Sequence, residues 1–391
     1  MLGVTFKKYV IKNCHNQVMP NVYCTSPWTG LFIHTDGKVK SCCAGTWEWG
    51  DLNTTPLTDI LNNPRVIEIK QQMLDGEIPA YCTYCKDAEN TSGSSQRQYF
   101  DQFTLEESKL SDPAEFELQT VDIRWNTLCN LKCVYCDERW STTWQQAKSI
   151  PLRPMYFDYY TTVLNYIQQN AATMKSAMLA GGEPLLHKQN IRLLEELDQS
   201  VTVDLITNLS VPLEQSPVFD ILKNRTNVRW HVSMDNIGAQ FEYVRNGADW
   251  KQIKANIVTL RRIPGHLVTI FPVFNIYTVT NLVDYYNYAR AARVNIHWQK
   301  LQYPAQLNVS NFSEPVRELA REKIQQVLSN PVMVGYVHGD EFLQHLEKQL
   351  YIAPKKELDL EFRTWTTEYE TKYSTGKFSQ LWPELDSVIK K

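Results

Sequence analysis

Between residues 119 and 300 the apolar positions alternate between two rhythms. "TVDIRWN" (120–126), "SAMLA" (176–180), "VTVDLIT" (201–207), "VRWHVSM" (228–234), "LVTIFPVF" (267–274) and "VNIHWQ" (294–299) are short runs, mostly rich in β-branched and aromatic residues, and predict strands. Between them, "FDYYTTVLNYIQQN" (157–170), "IRLLEEL" (191–197), "VFDILKN" (218–224), "WKQIKANIVTLRR" (250–262) and "VDYYNYARAA" (283–292) repeat at helical spacing. Strands separated by helices cannot pair as hairpins. They predict a parallel sheet with helices on its outer face, an α/β fold. Periodicity alone does not say whether such a sheet closes.

The flanks follow other patterns. "GLFIHTDGKVKSCC" (30–43) alternates about Asp36-Gly37 and predicts a hairpin. "TPLTDILNNPRVIEIKQQMLDG" (55–76) predicts two short helices broken near Pro64 and stopped by Gly76. "ENTSGSSQRQ" (89–98) is polar and Gly/Ser-rich, which predicts a loop leading into a linker over 101–118. After residue 303, "EPVRELAREKIQQVLSN" (314–330) and "DEFLQHLEKQL" (340–350) predict helices, and an aromatic, charged end is expected to pack on the core.

Composition narrows the classes. The chain has 391 residues, 43% hydrophobic and 21% charged, with net charge −3 and no basic run. Neither an anionic membrane nor non-specific nucleic-acid binding is suggested; a specific RNA substrate is not excluded. The first residues lack a signal-peptide pattern, and no apolar run reaches the ~18–20 residues of a membrane span. The expectation is a soluble cytoplasmic chain. Its nine cysteines, at 14, 24, 42, 43, 82, 85, 129, 133 and 136, all fall in the first 136 residues. In a reducing compartment, clustered cysteines in odd number favour metal over disulfides.

The sharpest pattern is "CNLKCVYC" (129–136), directly after the first core strand. In parallel α/β folds that edge carries the chemistry. Cys129, Cys133 and Cys136 supply three thiolates and stop, which suits a cluster with one iron open to a small molecule. A zinc site completed by a distant histidine is the competing reading. A second set, Cys24, Cys42, Cys82 and Cys85, joins the hairpin to a "CTYC" knuckle and could close a metal site. Zinc and iron–sulfur remain inseparable here on the residues alone, and Cys43 could replace Cys42.

The C-x3-C-x2-C spacing with Tyr135 before the last cysteine resembles the radical S-adenosylmethionine (SAM) enzymes. The resemblance implies a partial (β/α)6 barrel over 119–303, a 4Fe–4S cluster on Cys129, Cys133 and Cys136, and SAM on its open iron. Further motifs agree in order: "GGEP" (181–184), "TN" (207–208), "SMDN" (233–236) and "YVRNGADW" (243–250). By resemblance, Tyr135, Gly181, Gly182, Glu183, Ser233 and Arg245 are the SAM-contacting residues. C-x12-G-x4-C followed by C-x2-C (24–85) is similar to the twitch relative of the SPASM domain, placed ahead of the core instead of after it. It implies one auxiliary 4Fe–4S cluster in an N-terminal domain (1–100), with a mostly helical extension over 304–391. The implied activity is reductive SAM cleavage to a 5′-deoxyadenosyl radical and hydrogen-atom abstraction from a small molecule or peptide. An external donor such as flavodoxin or ferredoxin would supply the electron. The step after abstraction stays open: C–H oxidation, peptide maturation, or sugar or nucleotide modification. A simple iron–sulfur electron carrier would leave the SAM motifs unexplained.

Overall fold

The computed structural model describes residues 22–92, 95–152, 158–301, 303–335, 337–374 and 376–390. Cys14 lies outside them.

Nine strands form one sheet: β1 (Gly30–Ile33), β2 (Lys38–Lys40), β3 (Gly50–Asp51), β4 (Thr120–Ile123), β5 (Ser176–Leu179), β6 (Thr202–Thr207), β7 (Val228–Val232), β8 (His266–Ile270) and β9 (Asn295–Ile296). The spatial order is β9-β8-β7-β6-β5-β4-β1-β2-β3, with both edges free, so the barrel is partial. The six strands expected from the pattern, β4 to β9, pair in parallel in chain order. The five helices expected between them form at Tyr159–Gln169, Gln189–Glu196, Pro217–Leu222, Trp250–Leu260 and Leu282–Ala292.

Strand alternation sorts the two faces. Val121, Ile123, Ala177, Leu179, Val203, Leu205, Trp230, Val232 and Ile270 are buried in the apolar core shared with the helices. The opposite face is polar: Asp122 stands in register with Met178, Met178 with Asp204, and Asp204 with Arg229. Asp204 is buried, ion-paired to Arg229 and hydrogen-bonded to His231, each at 2.6 Å. Those two partners hold its carboxyl below the usual range against the opposing effect of burial.

The hairpin forms as expected, with Gly37 in the left-handed region (φ 86°) at its turn. It is not an isolated unit. β1 pairs in parallel with β4, Gly30 opposite Thr120 and Ile33 opposite Ile123. The helices Leu57–Leu61 and Pro64–Leu74 also form, the second capped by the Asn63 side chain on the Arg65 amide. Residues 89–98 depart from the expected loop. The helix that carries Cys85 runs from Thr83 to Ser92, and a new one starts at Gln96 under a Ser95–Gln98 capping box. Arg97 pairs with Glu89 at 2.7 Å across the break, an attraction that composition does not reveal.

The C-terminal helices Glu314–Leu328 and Val337–Leu350 form where expected. The aromatic end packs on the core: Tyr369 donates to the Tyr243 carbonyl at 3.2 Å, and Trp382 to the Tyr277 carbonyl at 2.9 Å. Trp382 is buried and stacked on Phe378. Trp382→Ala should therefore cost about 3–5 kcal/mol. A lowered thermal unfolding midpoint checks this, and an unchanged one would mean the extension is not part of the cooperative fold.

Candidate functional site

The segment 124–128 leaves the top of β4 and leads into the cysteine loop. It is gripped by the segment that leaves β5. The Gly182 amide donates to Asn126 O (3.2 Å) and the Glu183 amide to Leu128 O (2.7 Å). Gly181 takes φ 103°, a conformation that side chains resist. A Cβ on Gly182 would stand 2.2 Å from the Leu128 carbonyl oxygen and 2.7 Å from the Thr127 carbonyl carbon. Glycine is thus required at 182 because two backbones touch there.

Glu183 is buried and reaches sideways to β6. Oε1 accepts from Thr207 Oγ1 (2.6 Å) and Leu185 N (3.1 Å); Oε2 accepts from Asn208 N (2.7 Å). Burial outweighs these bonds and raises its carboxyl to about 7. Asn208 passes the connection on, with Nδ2 3.8 Å from Cys129 Sγ and 3.1 Å from Asn130 Oδ1. His187, also buried, lies 3.2 Å from Leu128 O through Nε2, and burial lowers it to about 4, so it is a neutral strut.

Cys133 is held from the other side. Lys132–Cys133 bridges Arg245–Asn246 antiparallel, and the Val134 amide donates to Val244 O at 2.8 Å. Trp144 Nε1 donates to Cys133 O (3.1 Å), and Trp144 packs edge-on against Tyr373 of the C-terminal extension. Tyr135 donates to Asp235 Oδ2 (2.6 Å), which also accepts from Arg245 Nε (2.8 Å). Burial pushes the Cys129 thiol up to about 12.

The structure thus brings Cys129, Cys133, Cys136, Tyr135, Gly181, Gly182, Glu183 and Arg245 to one edge. Ser233 follows β7 on that edge, half-buried, its amide bonded to Thr207 O at 2.8 Å. Sequence reasoning missed Asp235 and His187. Asp235 lies inside the quoted "SMDN", but nothing in a sequence shows which of its polar residues turns inward. The His187 signal, a lone histidine, was too weak to find.

At the other end of β1 lies the second site. Cys24 precedes β1 and Cys42 follows β2, so both flank the end of the hairpin away from its turn. With Cys82 and Cys85 they line one cleft, together with Arg97 and Phe100; Cys43 is exposed and does not line it. Tyr81 sets the spacing: its hydroxyl bonds Ser41 N (3.1 Å) and Oγ (3.2 Å), and it fills the space a Cβ on Gly45 would need. Burial raises all four thiols. Among the described residues no three His, Cys, Asp or Glu groups converge on a single-ion position. A cubane, in which each iron takes its own thiolate, asks instead for sulfurs spread round a volume. The four cysteines spread round this cleft fit that demand, and the N–H donors 3.7–3.8 Å from Cys133 and Cys129 sulfur suit ligand thiolates at the other site.

Residues 123–289 match the Radical SAM superfamily, and residues 24–86 match SPASM, an iron–sulfur cluster-binding domain. The first match implies a 4Fe–4S cluster and SAM, the second a further iron–sulfur cluster. The chain is 38% identical over 88 residues to a 7-carboxy-7-deazaguanine synthase of Clostridium acetobutylicum, covering 22% of this chain and 36% of that enzyme. Among solved structures, anSMEcpe with bound AdoMet gives a TM-score of 0.42 at 15% identity, covering 54% of this chain and 60% of that one. Streptococcus suis SuiB bound to S-adenosylmethionine gives 0.41 at 11%, covering 67% and 63%. Among the described residues no helix is long and apolar enough to cross a membrane.

Two expectations arise from the geometry. Gly182→Ala should cost about 1–3 kcal/mol, because the Leu128 backbone must move; it should also weaken SAM binding, measured by equilibrium dialysis. Glu183 has a folded value (about 7) above its ordinary 4.5. Its contribution to stability is therefore complete below pH 4.5 and lost as pH rises through 7, on the order of 3 kcal/mol. Unfolding midpoints of the metal-free chain should fall over that window, and Glu183→Gln should flatten the fall.

Proposed function

We propose that the chain is a radical SAM enzyme with two 4Fe–4S clusters, one held by Cys129, Cys133 and Cys136 and one by Cys24, Cys42, Cys82 and Cys85. The observation that carries the reading is the three-cysteine loop at the top of β4, with the "GGEP" turn laid against its base. Bound there, the cluster and SAM supply reductive cleavage to a 5′-deoxyadenosyl radical and hydrogen-atom abstraction. This chain's residues position and enclose. Gly181 and Gly182 let the backbone close on the loop, Glu183 and Asn208 tie it to β6, Tyr135 and Ser233 complete the surroundings assigned to SAM, and Arg245 braces the loop at Cys133. The exposed position of Cys43 supports Cys42 as the auxiliary ligand. We divide the chain into a twitch-like unit (1–100), a connecting stretch (101–118), the core (119–303) and the extension (304–391).

Four protein thiolates leave the auxiliary cluster no open iron, so electron transfer or fold support suits it better than substrate ligation. The substrate is a small molecule or peptide that the chain does not identify, the favoured outcome is oxidation of a C–H bond, and a donor of the flavodoxin or ferredoxin kind supplies the electron.

Anaerobically reduced protein should convert SAM to 5′-deoxyadenosine. Replacing Cys129, Cys133 and Cys136 together with Ala should abolish this while about half the iron remains; undiminished cleavage would sink the assignment. The wild-type chain should bind about eight irons, and Cys82→Ala with Cys85→Ala about four. A wild-type chain carrying zinc and about four irons would leave the N-terminal unit without a cluster.

A further inference from the structure

The network at Cys133 is built around a buried cation. Arg245 Nε donates to Asp235 Oδ2 at 2.8 Å, Nη1 points at Cys133 Sγ at 3.7 Å, and Nη2 donates to the Tyr135 hydroxyl. Tyr135 in turn donates to Asp235 Oδ2 at 2.6 Å, while Asp235 Oδ1 accepts the Val273 amide at 2.8 Å. Every nitrogen of the guanidinium thus has a protein partner. Arg245 and Cys133 are also backbone neighbours across the short bridge, which sets the side chain beside the sulfur. Asp235 is fully buried, and Arg245 is 6% exposed. A buried ion pair of this kind is costly to break from either side, since the remaining charge is stranded. Asp235 and Tyr135 therefore keep Arg245 aimed at the sulfur. Hydrogen bonds to ligand sulfur, from a cation above all, favour the more negative, reduced state of an iron–sulfur cluster.

We propose that Arg245 is a positioning residue that acts on the candidate cluster through Cys133, raising its reduction potential, and that it is not the partner of the SAM carboxylate. The role rests on reading the three cysteines as cluster ligands. It predicts that loss of the guanidinium changes the poise of the cluster before it changes the grip on SAM. Asp235 and Tyr135 act through Arg245 by the same route.

The test uses the full chain, reconstituted anaerobically, with Arg245→Gln and Arg245→Lys. Iron content, the midpoint of the paramagnetic signal that changes on adding SAM, and the SAM dissociation constant are measured for each. Arg245→Gln should keep its iron and move the midpoint negative by about 59 mV, a tenfold change for one electron, with SAM affinity within threefold of wild type. An unmoved midpoint, or a tenfold loss of SAM affinity at an unmoved midpoint, overturns the proposal. Arg245→Lys keeps the charge beside Asp235 but lacks a second arm for the sulfur. It should shift the midpoint the same way by less, and a wild-type midpoint there overturns the proposal even where the Gln variant fails to assemble. Absence of any SAM-responsive signal in the wild-type chain would instead overturn the reading of the three cysteines.

Discussion

The site depends on one close approach, that of the 181–183 backbone to the 126–128 backbone. These segments leave adjacent parallel strands in the same direction, and they meet because Gly181 and Gly182 carry no side chain. The Leu128 carbonyl takes the Glu183 amide at 2.7 Å, and the same carbonyl leaves 2.2 Å for any Cβ on Gly182. Everything past Leu128, Cys129 first, takes its starting direction from that contact.

From there the constraint spreads along the sheet edge. Glu183 carries it to Thr207 and Asn208 at the end of β6, and Asn208 returns it to Cys129. Asp235, beyond β7, holds Tyr135 and Arg245 and is itself held by the Val273 amide beyond β8. The loop is thus fixed from five strand ends, and the C-terminal extension closes the circle through Tyr373 on Trp144. Rigid support of this kind is what a site needs if a reactive species is to meet one atom and no other.

The hairpin site is attached to the same frame by different means. β1 extends the sheet beyond β4, so the N-terminal cysteines are placed by strand pairing with the core. Because β1 and β4 run parallel, Cys24, which precedes β1, lies toward the start of β4, while Cys129 lies beyond its end. The two cysteine sets therefore flank the sheet from opposite ends, with the polar face of Asp122, Asp204, Arg229 and His231 between those ends.

The sequence by itself determined the repeating elements and the cysteine pattern. Period-two and period-3.6 patterns are local, so β4 to β9 and their helices were legible, and cysteine spacing is local too. The 89–98 stretch was misread because its helix is stabilised by the Arg97–Glu89 pair across a break, which composition hides. Only the tertiary structure decided what is non-local. It opened the sheet at β9 and β3, joined the hairpin to β4, turned Cys42 inward and Cys43 outward, and spent Arg245 on Asp235, Tyr135 and Cys133. Those outcomes hang on contacts between residues up to 112 positions apart, and no window of sequence contains both partners.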